Sequence, residues 1–253
     1  RRRRGGGRTG GTPPGSLPLP VALLVASQGE HREERLLRHL DAADLLHALL
    51  ALLLLLEQLA LPADVAVETE VNQVVQRVID TWGRIDVLIN NAGLISFGPY
   101  TQVDLAEWER IIGANLTGAY LCCRAVAPWM EQQAHGRIIN ISSVSAHTGG
   151  VSGSVHYATS KGGMISMTKT LSRDLAPHNI TVNAIAPGFI LTDLTRKLWS
   201  EPTMQAWNDA NCPMKRLGET EDLIGTAVYM ISDASKFLTG QIIYVDGGIT
   251  CGM

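Results

Sequence analysis

The chain has 253 residues, 45% of them hydrophobic, a length and composition that fit one substantial α/β domain. Its formal net charge of −3 gives no sign of a nucleic-acid-binding surface. The four cysteines are scattered without ligand-like spacing, which favours reduced thiols in a cytoplasmic protein over disulfides or a metal site.

Residues 1–62 differ in composition from the rest of the chain. They contain no Lys, Ile, Asn, Phe, Tyr, Trp, Met or Cys, and Leu takes 18 of the 62 positions. The missing Lys, Ile, Asn, Phe and Tyr have A/T-rich codons, whereas the abundant Arg, Gly, Ala and Pro have G/C-rich codons. We therefore treat residues 1–62 as an anomalous segment, with a frameshift product as one hypothesis for its origin, and residues 63–253 as a separate region.

The elements predicted within this first segment are few. Only Val21–Val25 is strand-like, and the leucine-dense run Leu45–Leu56 is too short for a membrane span, which needs about 20 apolar residues. Leu and Ala favour helix, so we expect helix near 31–60 and irregular structure over 1–20. The arginines at 1–4 are interpreted as part of a disordered tail rather than a basic arm.

From Ala63 onward, apolar strands alternate with amphipathic helices. A helix is predicted over about Glu70–Trp82, and Arg84–Asn90 is a continuous apolar run typical of a strand covered on both faces. Asn91-Ala92-Gly93 ends that strand with small residues, which either let a cofactor approach the backbone or form an ordinary turn.

The next helix has a recognisable start and one unusual position. Asp104 with Glu107 three residues later resembles a capping box, so a long helix is predicted from Leu105 toward Pro128. Asn115 interrupts its apolar pattern, although Asn is a poor residue for a helix interior.

A possible acid/base pair follows the third predicted strand. Gly136–Ser143 is a buried strand that ends in a hydroxyl, and a small-residue loop containing His147 leads to a helix that starts at Tyr157. Lys161 lies one turn after Tyr157, and residues at i and i+4 share a helix face. A nearby positive charge favours the phenolate, so Lys161 is expected to lower the pKa of Tyr157. The alternative is an exposed helix face.

The last part of the chain completes the alternation. Ile180–Ala186 is predicted as a strand, Pro187-Gly188 as a turn, and Leu191–Leu217 as a flexible lid or two short surface helices. An amphipathic helix at 222–231 and a final strand at 241–248 follow. This alternation predicts an α/β fold with a doubly wound parallel sheet.

Taken together and in this order, these motifs resemble the short-chain dehydrogenase/reductase family over residues 63–253. The resemblance implies a Rossmann-like fold and a hydride transfer between NAD or NADP and a small carbonyl or alcohol substrate, without a metal. It also implies the catalytic roles. Ser143 binds the substrate oxygen, Tyr157 exchanges the proton, Lys161 supports Tyr157 and the nicotinamide ribose, and Asn115 holds a relay water.

The resemblance implies a set of cofactor-binding residues as well. Asp64 and Val65 match a strand end that flanks adenine, although a helix cap is the alternative for Asp64. The other positions lie near the nicotinamide half of the cofactor: Asn91, Ala92, Gly93, Tyr157, Lys161, Pro187, Gly188, Ile190 and Thr192.

The phosphate-binding turn of the family is not matched. The family pattern is Thr-Gly-x-x-x-Gly-x-Gly, whereas Thr9–Leu17 here carries Pro13 and Pro14 and ends with Leu17 in place of the last glycine. The first strands are therefore expected to be atypical or missing, and NAD cannot be distinguished from NADP. A non-catalytic subunit or a defective product without a cofactor site is the competing hypothesis.

The flanks of the site indicate a substrate branch and an assembly. The segments from 191 to 207 and from 223 to 248 resemble the gluconate 5-dehydrogenase branch, which implies a polyol or sugar acid, with the 3-oxoacyl-carrier-protein reductase branch as the alternative. Family members commonly form homotetramers through the helices that here carry Asn115 and Tyr157. No membrane or nucleic-acid partner is expected.

Overall fold

The structure, a computed structural model, describes residues 22–25, 59–150 and 153–252. In this part of the chain, five strands form one parallel sheet whose spatial order follows the sequence. They are β1 (Ala22–Val25), β2 (Val87–Asn90), β3 (Gly136–Ile141), β4 (Ile180–Pro187) and β5 (Ile242–Val245).

Helices connect these strands, as a parallel sheet requires. They are α1 (Glu68–Trp82), α2 (Leu105–Ile112), α3 (Gly118–Gln133), α4 (Ser145–Thr148), α5 (Val155–Leu175), α6 (Asp193–Trp199), α7 (Pro202–Asn211) and α8 (Glu221–Ile231). Short 3-10 turns cover Tyr100–Gln102, Ala176–His178, Asp233–Ser235 and Ile249–Gly252. The predicted helices and strands from residue 68 onward are present, most of them within a few residues of their expected ends.

Strand β1 confirms the strand predicted at Val21–Val25. It pairs in parallel with β2, with Ala22 opposite Val87 and Val25 opposite Asn90. Strand β1 comes after the glycine-rich stretch Thr9–Leu17 in the sequence. Those residues therefore cannot form the turn that follows the carboxyl end of β1. The other predictions for residues 1–62, including the helix near 31–60, lie outside the described residues.

The prediction that a strand ends at Asp64–Val65 is wrong. Residues 59–67 contain no strand, and Asp64 instead makes a local turn in which its side chain accepts a hydrogen bond of 2.9 Å from the Ala66 backbone. Asp64 is not the helix cap either, because α1 is preceded by Val67 at the capping position. The prediction that the first strands are atypical or missing depends also on residues 26–58, which lie outside the described residues.

Helices cover both faces of the sheet, as in a doubly wound fold. Leu88 of β2 packs with Ile138 of β3 and with residues of α1 and α3 on one face. Ile89 packs on the other face with Ile139 and with residues of α8. Because successive side chains of a strand point to opposite faces, each strand is apolar throughout. Full burial of each such side chain contributes about 1.5–3 kcal/mol.

Helix α2 begins where its capping residue predicts. The Asp104 side chain accepts a hydrogen bond of 2.8 Å from the Glu107 backbone, which confirms half of the predicted capping box. The other half is missing because the Glu107 side chain is bound to Ser96 and Arg110. No helix in the described ranges has both the length and the apolar character that crossing a membrane requires.

Candidate active site

The predicted catalytic residues converge at the carboxyl ends of β2, β3 and β4. Asn91 follows β2, Ser143 lies two residues after β3, and Pro187 ends β4. The Val144 backbone donates a hydrogen bond of 3.0 Å to the Pro187 carbonyl, which joins the last two of these strand ends. Ligands of open parallel sheets bind outside this edge.

Asn115 lies in a local widening of the helix that runs from α2 to α3. Residues Gly113–Thr117 form a π-helical turn between the two α-helices, and Asn115 is completely buried in it. Such turns frequently mark functional positions. The Asn115 side chain accepts a hydrogen bond of 2.7 Å from the Leu94 backbone and donates to the Leu94 carbonyl at 2.9 Å and to Ser160 Oγ at 3.0 Å.

Lys161 is buried one turn after Tyr157 on α5 and is 4% exposed. Its ammonium donates a hydrogen bond of 2.7 Å to the Ile141 carbonyl at the end of β3. Removal from water penalises the charged form, so burial lowers the pKa of Lys161 to about 8. The ammonium lies 5.8 Å from the centre of the Tyr157 ring.

Tyr157 and Ser143 form a hydrogen-bonded pair above the sheet. Burial raises the pKa of Tyr157, and the hydrogen bond with Ser143 opposes that rise. The pKa of Tyr157 thus lies above its ordinary value, whereas a lowered pKa was expected from sequence. The physical reason is that removal of the phenol from water penalises the phenolate more than the hydrogen bond with Ser143 favours it.

Gly93 lies between Lys161 and Asn115. A Cβ atom at this position would be 3.5 Å from Lys161 Nζ and 3.6 Å from Asn115 Oδ1, so both groups border the same small space. Of the other predicted residues at this strand end, Ala92 is buried and Asn91 is half-buried. The Asn91-Ala92-Gly93 stretch thus forms the floor of the cleft beside the catalytic residues.

The remaining predicted cofactor positions lie farther along the strand ends. Gly188 is packed so closely on Asp246 that a Cβ would come within 2.7 Å of its Cα. Ile190 and Thr192 stand at the base of the predicted lid, where Ile190 bridges to Gly218 and Thr192 caps α6. Val65 is buried against Gly118, at the start of α3, whereas Asp64 is exposed.

The lid, residues 191–217, consists of α6, α7 and their connections. Its two ends meet, because the Leu191 backbone donates to the Gly218 carbonyl at 2.9 Å and the Gly218 backbone donates to the Phe189 carbonyl at 2.8 Å. The Phe189 ring packs on Trp199 and Trp207, with ring centres 4.5 and 4.9 Å apart. The two short helices of one sequence interpretation are present, and the flexible lid of the other stays a prediction.

Two contacts of the site were not anticipated from sequence. Ser160 accepts a hydrogen bond from Asn115 and donates one of 2.7 Å to the Tyr157 carbonyl, so it joins the two catalytic helices. Leu94 holds the Asn115 amide through its backbone, which leaves no sequence signal. For Ser160 the available signal was a small hydroxyl residue beside Lys161 on the face that packs against the other helix.

Comparisons with known proteins agree with this arrangement. A family model described as enoyl-(acyl carrier protein) reductase matches residues 38–250. The 3-oxoacyl-(acyl-carrier-protein) reductase of Synechocystis sp. is 42% identical over 194 residues, which are 76% of each chain. The corresponding reductase FabG of Staphylococcus epidermidis is 39% identical over 76% of this chain and 78% of its own.

Solved structures give the same picture. A gluconate 5-dehydrogenase from Burkholderia cenocepacia in complex with NADP and tartrate superposes with a TM-score of 0.74 at 33% identity, covering 76% of this chain and 75% of its own. A short-chain type dehydrogenase/reductase from Mycobacterium marinum gives a TM-score of 0.76 at 33% identity over 81% of both chains.

Proposed function

Because this chain belongs to the short-chain dehydrogenase/reductase family, we propose that it transfers a hydride between NAD or NADP and a secondary alcohol or ketone. The observation that carries the proposal is the hydrogen-bonded pair of Tyr157 and Ser143 beside the buried Lys161. An oxidoreductase of this kind needs a proton donor and a hydrogen-bond donor aimed at one substrate oxygen.

The residues at the strand ends fit the nicotinamide half of such a cofactor. An ammonium has three donors, and the described residues supply one acceptor to Lys161, the Ile141 carbonyl, so two donors remain for the hydroxyls of a ribose. Gly93 leaves the backbone open beside this ammonium. When bound, the nicotinamide would supply or take up the hydride. The structural neighbour from Burkholderia cenocepacia contains NADP.

Tyr157 and Ser143 would handle the substrate oxygen. Tyr157 has a raised pKa, so near neutral pH its phenol is protonated and is a donor for a ketone that is being reduced. Ser143 shares a hydrogen bond with that phenol and would bind the same oxygen, orienting it for proton transfer. In alcohol oxidation the same two groups would act in reverse.

Asn115 and Lys161 would return the proton to solvent. Both Nδ2 donors of Asn115 are used by Leu94 and Ser160, so its remaining Oδ1 lone pair is the group available to hold a water. That oxygen and Lys161 Nζ lie within 3.6 Å of one point above Gly93. A water in the space in front of that point would connect the ammonium to the Asn115 side chain.

For the substrate we propose a polyol or sugar acid. The sequence of the lid resembles the gluconate 5-dehydrogenase branch, and solved proteins of that description from Agrobacterium tumefaciens, Burkholderia cenocepacia and Beutenbergia cavernae share the fold at 33–35% identity. A substrate of this class carries many hydroxyls and, in a sugar acid, a carboxylate.

A second candidate is a 3-oxoacyl thioester. Curated reductases of this class are up to 42% identical to the chain. The lid also carries large apolar side chains, namely Trp199 and Trp207, which pack on Phe189, and Met214, which is 62% exposed. An acyl chain would gain free energy from contact with such a surface, at roughly 0.8 kcal/mol per buried CH₂.

A substrate panel tests both the proposal and the choice between its candidates. NADH and NADPH oxidation would be followed with 5-ketogluconate, other ketoses and acetoacetyl thioesters, at equal enzyme concentration. Turnover of sugar acids above thioesters supports the first candidate, and activity confined to thioesters supports the second. A chain that turns over none of these with either cofactor contradicts the proposed function.

We also propose that the chain assembles into a homotetramer through α3 and α5. A shallow groove of about 520 Å³ lies between these helices and is lined by Leu116, Tyr120, Gly163 and Met167 among others. Tyr120 is 44% exposed there. A two-fold contact would cover the same groove on both copies. Light scattering at micromolar concentration tests this, and a stable monomer would contradict it.

A further inference from the structure

A polar cluster built on a buried histidine lies directly beside the catalytic tyrosine and is used by none of the roles described above. His156 immediately precedes Tyr157 on α5 and is 1% exposed. Its Nε2 atom lies 2.7 Å from Ser96 Oγ, and Ser96 also hydrogen-bonds to Glu107 of α2. These three residues connect the loop after β2 with both helices of the active site.

The hydrogen-bond directions in this cluster follow from the charge of Glu107. Hydrogen bonds from Arg110 and Ser96 lower the pKa of Glu107 to about 2, so the group is a carboxylate and only accepts. A serine hydroxyl has one proton, and Ser96 gives it to Glu107. The contact with His156 must therefore be a hydrogen bond that His156 Nε2–H donates to Ser96.

This arrangement is not a hydrolase triad, although it contains a serine, a histidine and a glutamate. In a triad the serine proton is directed at the histidine, and the carboxylate binds the opposite ring nitrogen. Here Ser96 donates to Glu107, whose nearest oxygen lies 3.9 Å from Nε2, the same ring nitrogen that contacts the serine. His156 Nδ1 has no partner among the described residues.

The cluster is instead one of three sets of hydrogen bonds, here called ties, that hold residues 94–98 over the site. Leu94 is bound through its backbone N–H and carbonyl by Asn115. Ser96 is bound by His156 and Glu107. Gly98 donates a hydrogen bond of 3.0 Å to the Gly153 carbonyl. Every second residue of this loop is therefore fixed, beginning next to Gly93.

We propose that His156 is a positioning residue that, through Ser96, fixes the loop 94–98 as a substrate-contacting wall next to Tyr157. The residues between the ties are apolar: Ile95 is half-buried and Phe97 is 45% exposed. Because the wall is attached to α5, it keeps a fixed position relative to Tyr157. A substrate that contacts the wall therefore keeps its oxygen beside the phenol. The proposal rests on the proposed function, since a wall needs a substrate.

The test uses the full-length chain with three variants and one control. His156→Leu and Ser96→Ala each remove the hydrogen bond between α5 and the loop. His156→Gln keeps it, because the Gln Nε2 group reaches about as far as the histidine Nε2 and still donates. Thr101→Ala is the control, since it removes an exposed hydroxyl just beyond the loop that takes part in none of the three ties.

The expected result is a change in KM rather than in kcat. His156→Leu and Ser96→Ala raise the KM for the ketone about tenfold while kcat changes less than about threefold, because a loosened wall weakens binding of the substrate and of its transition state alike. His156→Gln and Thr101→Ala stay close to wild type. A purely structural histidine would instead lower the unfolding temperature in His156→Leu and leave KM unchanged in every folded variant. That outcome would overturn the proposal.

Amide hydrogen exchange separates this proposal from the proposed function. If the wild-type chain turns over no substrate, the proposed function fails. Exchange at residues 94–98 still tests whether the hydrogen bond between His156 and Ser96 holds the loop. Faster exchange in this loop alone, in both Ser96→Ala and His156→Leu, sustains the positioning role. Unchanged exchange in the Ser96→Ala loop contradicts it, even where His156→Leu does not fold.

Discussion

The catalytic cluster of Asn115, Ser143, Tyr157 and Lys161 and the lid of residues 191–217 adjoin the same strand ends but are held by different forces. The Lys161 and Asn115 side chains are buried and hydrogen-bonded to backbone groups of the sheet edge. The lid is held at its base by the pairing with Gly218 and by the rings that pack on Phe189.

This contrast indicates a division of labour. Buried groups held by hydrogen bonds to the backbone are preorganised and suit a reaction that needs fixed distances. The segment 191–217 is held mainly by contacts with other loops, such as the hydrogen bond of 3.1 Å from the Met214 backbone to the Gly247 carbonyl, and we predict that it governs substrate entry and selection. Substitutions in the cluster should therefore change kcat, whereas substitutions in the lid should change KM.

The largest effect is expected when the proton donor of the catalytic cluster is removed. Tyr157→Phe deletes one hydroxyl and little packing, so turnover should fall by about 10² to 10⁴-fold while cofactor affinity stays nearly unchanged. Ser143→Ala should act in the same direction. The control is Tyr229→Phe on α8, which removes an equally small group far from the cluster. A Tyr157→Phe enzyme with more than half of the wild-type rate would remove Tyr157 from its role.

The second effect concerns the charge buried in the cluster. The pKa of Lys161 falls from 10.5 to about 8 on burial, so between these pH values the unfolded chain binds more protons than the folded chain and stability rises with pH. Lys161→Met removes this dependence. Between pH 8 and 10.5, the free energy of unfolding of the wild type should therefore rise by up to about 3 kcal/mol more than that of the variant.

Denaturant unfolding of both proteins at several pH values measures this gain. Other groups titrate in both proteins alike, so the difference between them isolates Lys161. A difference that stays constant from pH 7.5 to pH 10 would show that the ammonium is not desolvated. Lys161→Met should also lose most of its turnover, which a pH-dependent stability effect alone would not explain.

A smaller effect sharpens the role of the space above Gly93. Gly93→Ala places a methyl group in ordinary contact with Lys161 Nζ and Asn115 Oδ1, so the chain should fold normally. The methyl would displace the relay water, and kcat should fall by about tenfold. Cofactor titration separates this loss from weaker NAD(P) binding. An unchanged kcat at saturating cofactor would place the water elsewhere.

The smallest effect tests the lid. Trp207→Ala removes one of the two rings that pack on Phe189, a contact worth about 0.5–1.5 kcal/mol, so the KM for the ketone should rise about 3 to 10-fold. Trp207→Phe keeps a ring and should stay near wild type. If Trp207→Ala lowered kcat and left KM unchanged, the proposed division between the two regions would not hold.

The sequence predicted those features that depend on local pattern. The apolar runs predicted β2, β3 and β4, and Asp104 located the start of α2. The spacing of Tyr157 and Lys161 placed both on one helix. Each of these features is specified within a few residues of the chain, which is the range over which periodicity and capping act.

The features that depend on distant contacts could not be predicted. The pKa of Tyr157 moves opposite to the expected direction because burial, which no local pattern encodes, penalises the phenolate. The π-helical turn at Asn115 is accompanied by hydrogen bonds to Leu94, 21 residues away in sequence. The strand expected at Asp64 is replaced by a local turn for which an aspartate is equally suited.

The most direct test of the central claim follows the hydride itself. Reduced cofactor that carries deuterium at the position from which nicotinamide gives up its hydride would be incubated with the best ketone of the substrate panel. The account predicts one deuterium on the carbinol carbon of the product with the wild-type chain, and almost none with Tyr157→Phe in the same time. Product without label, or equal labelling by both proteins, would contradict it.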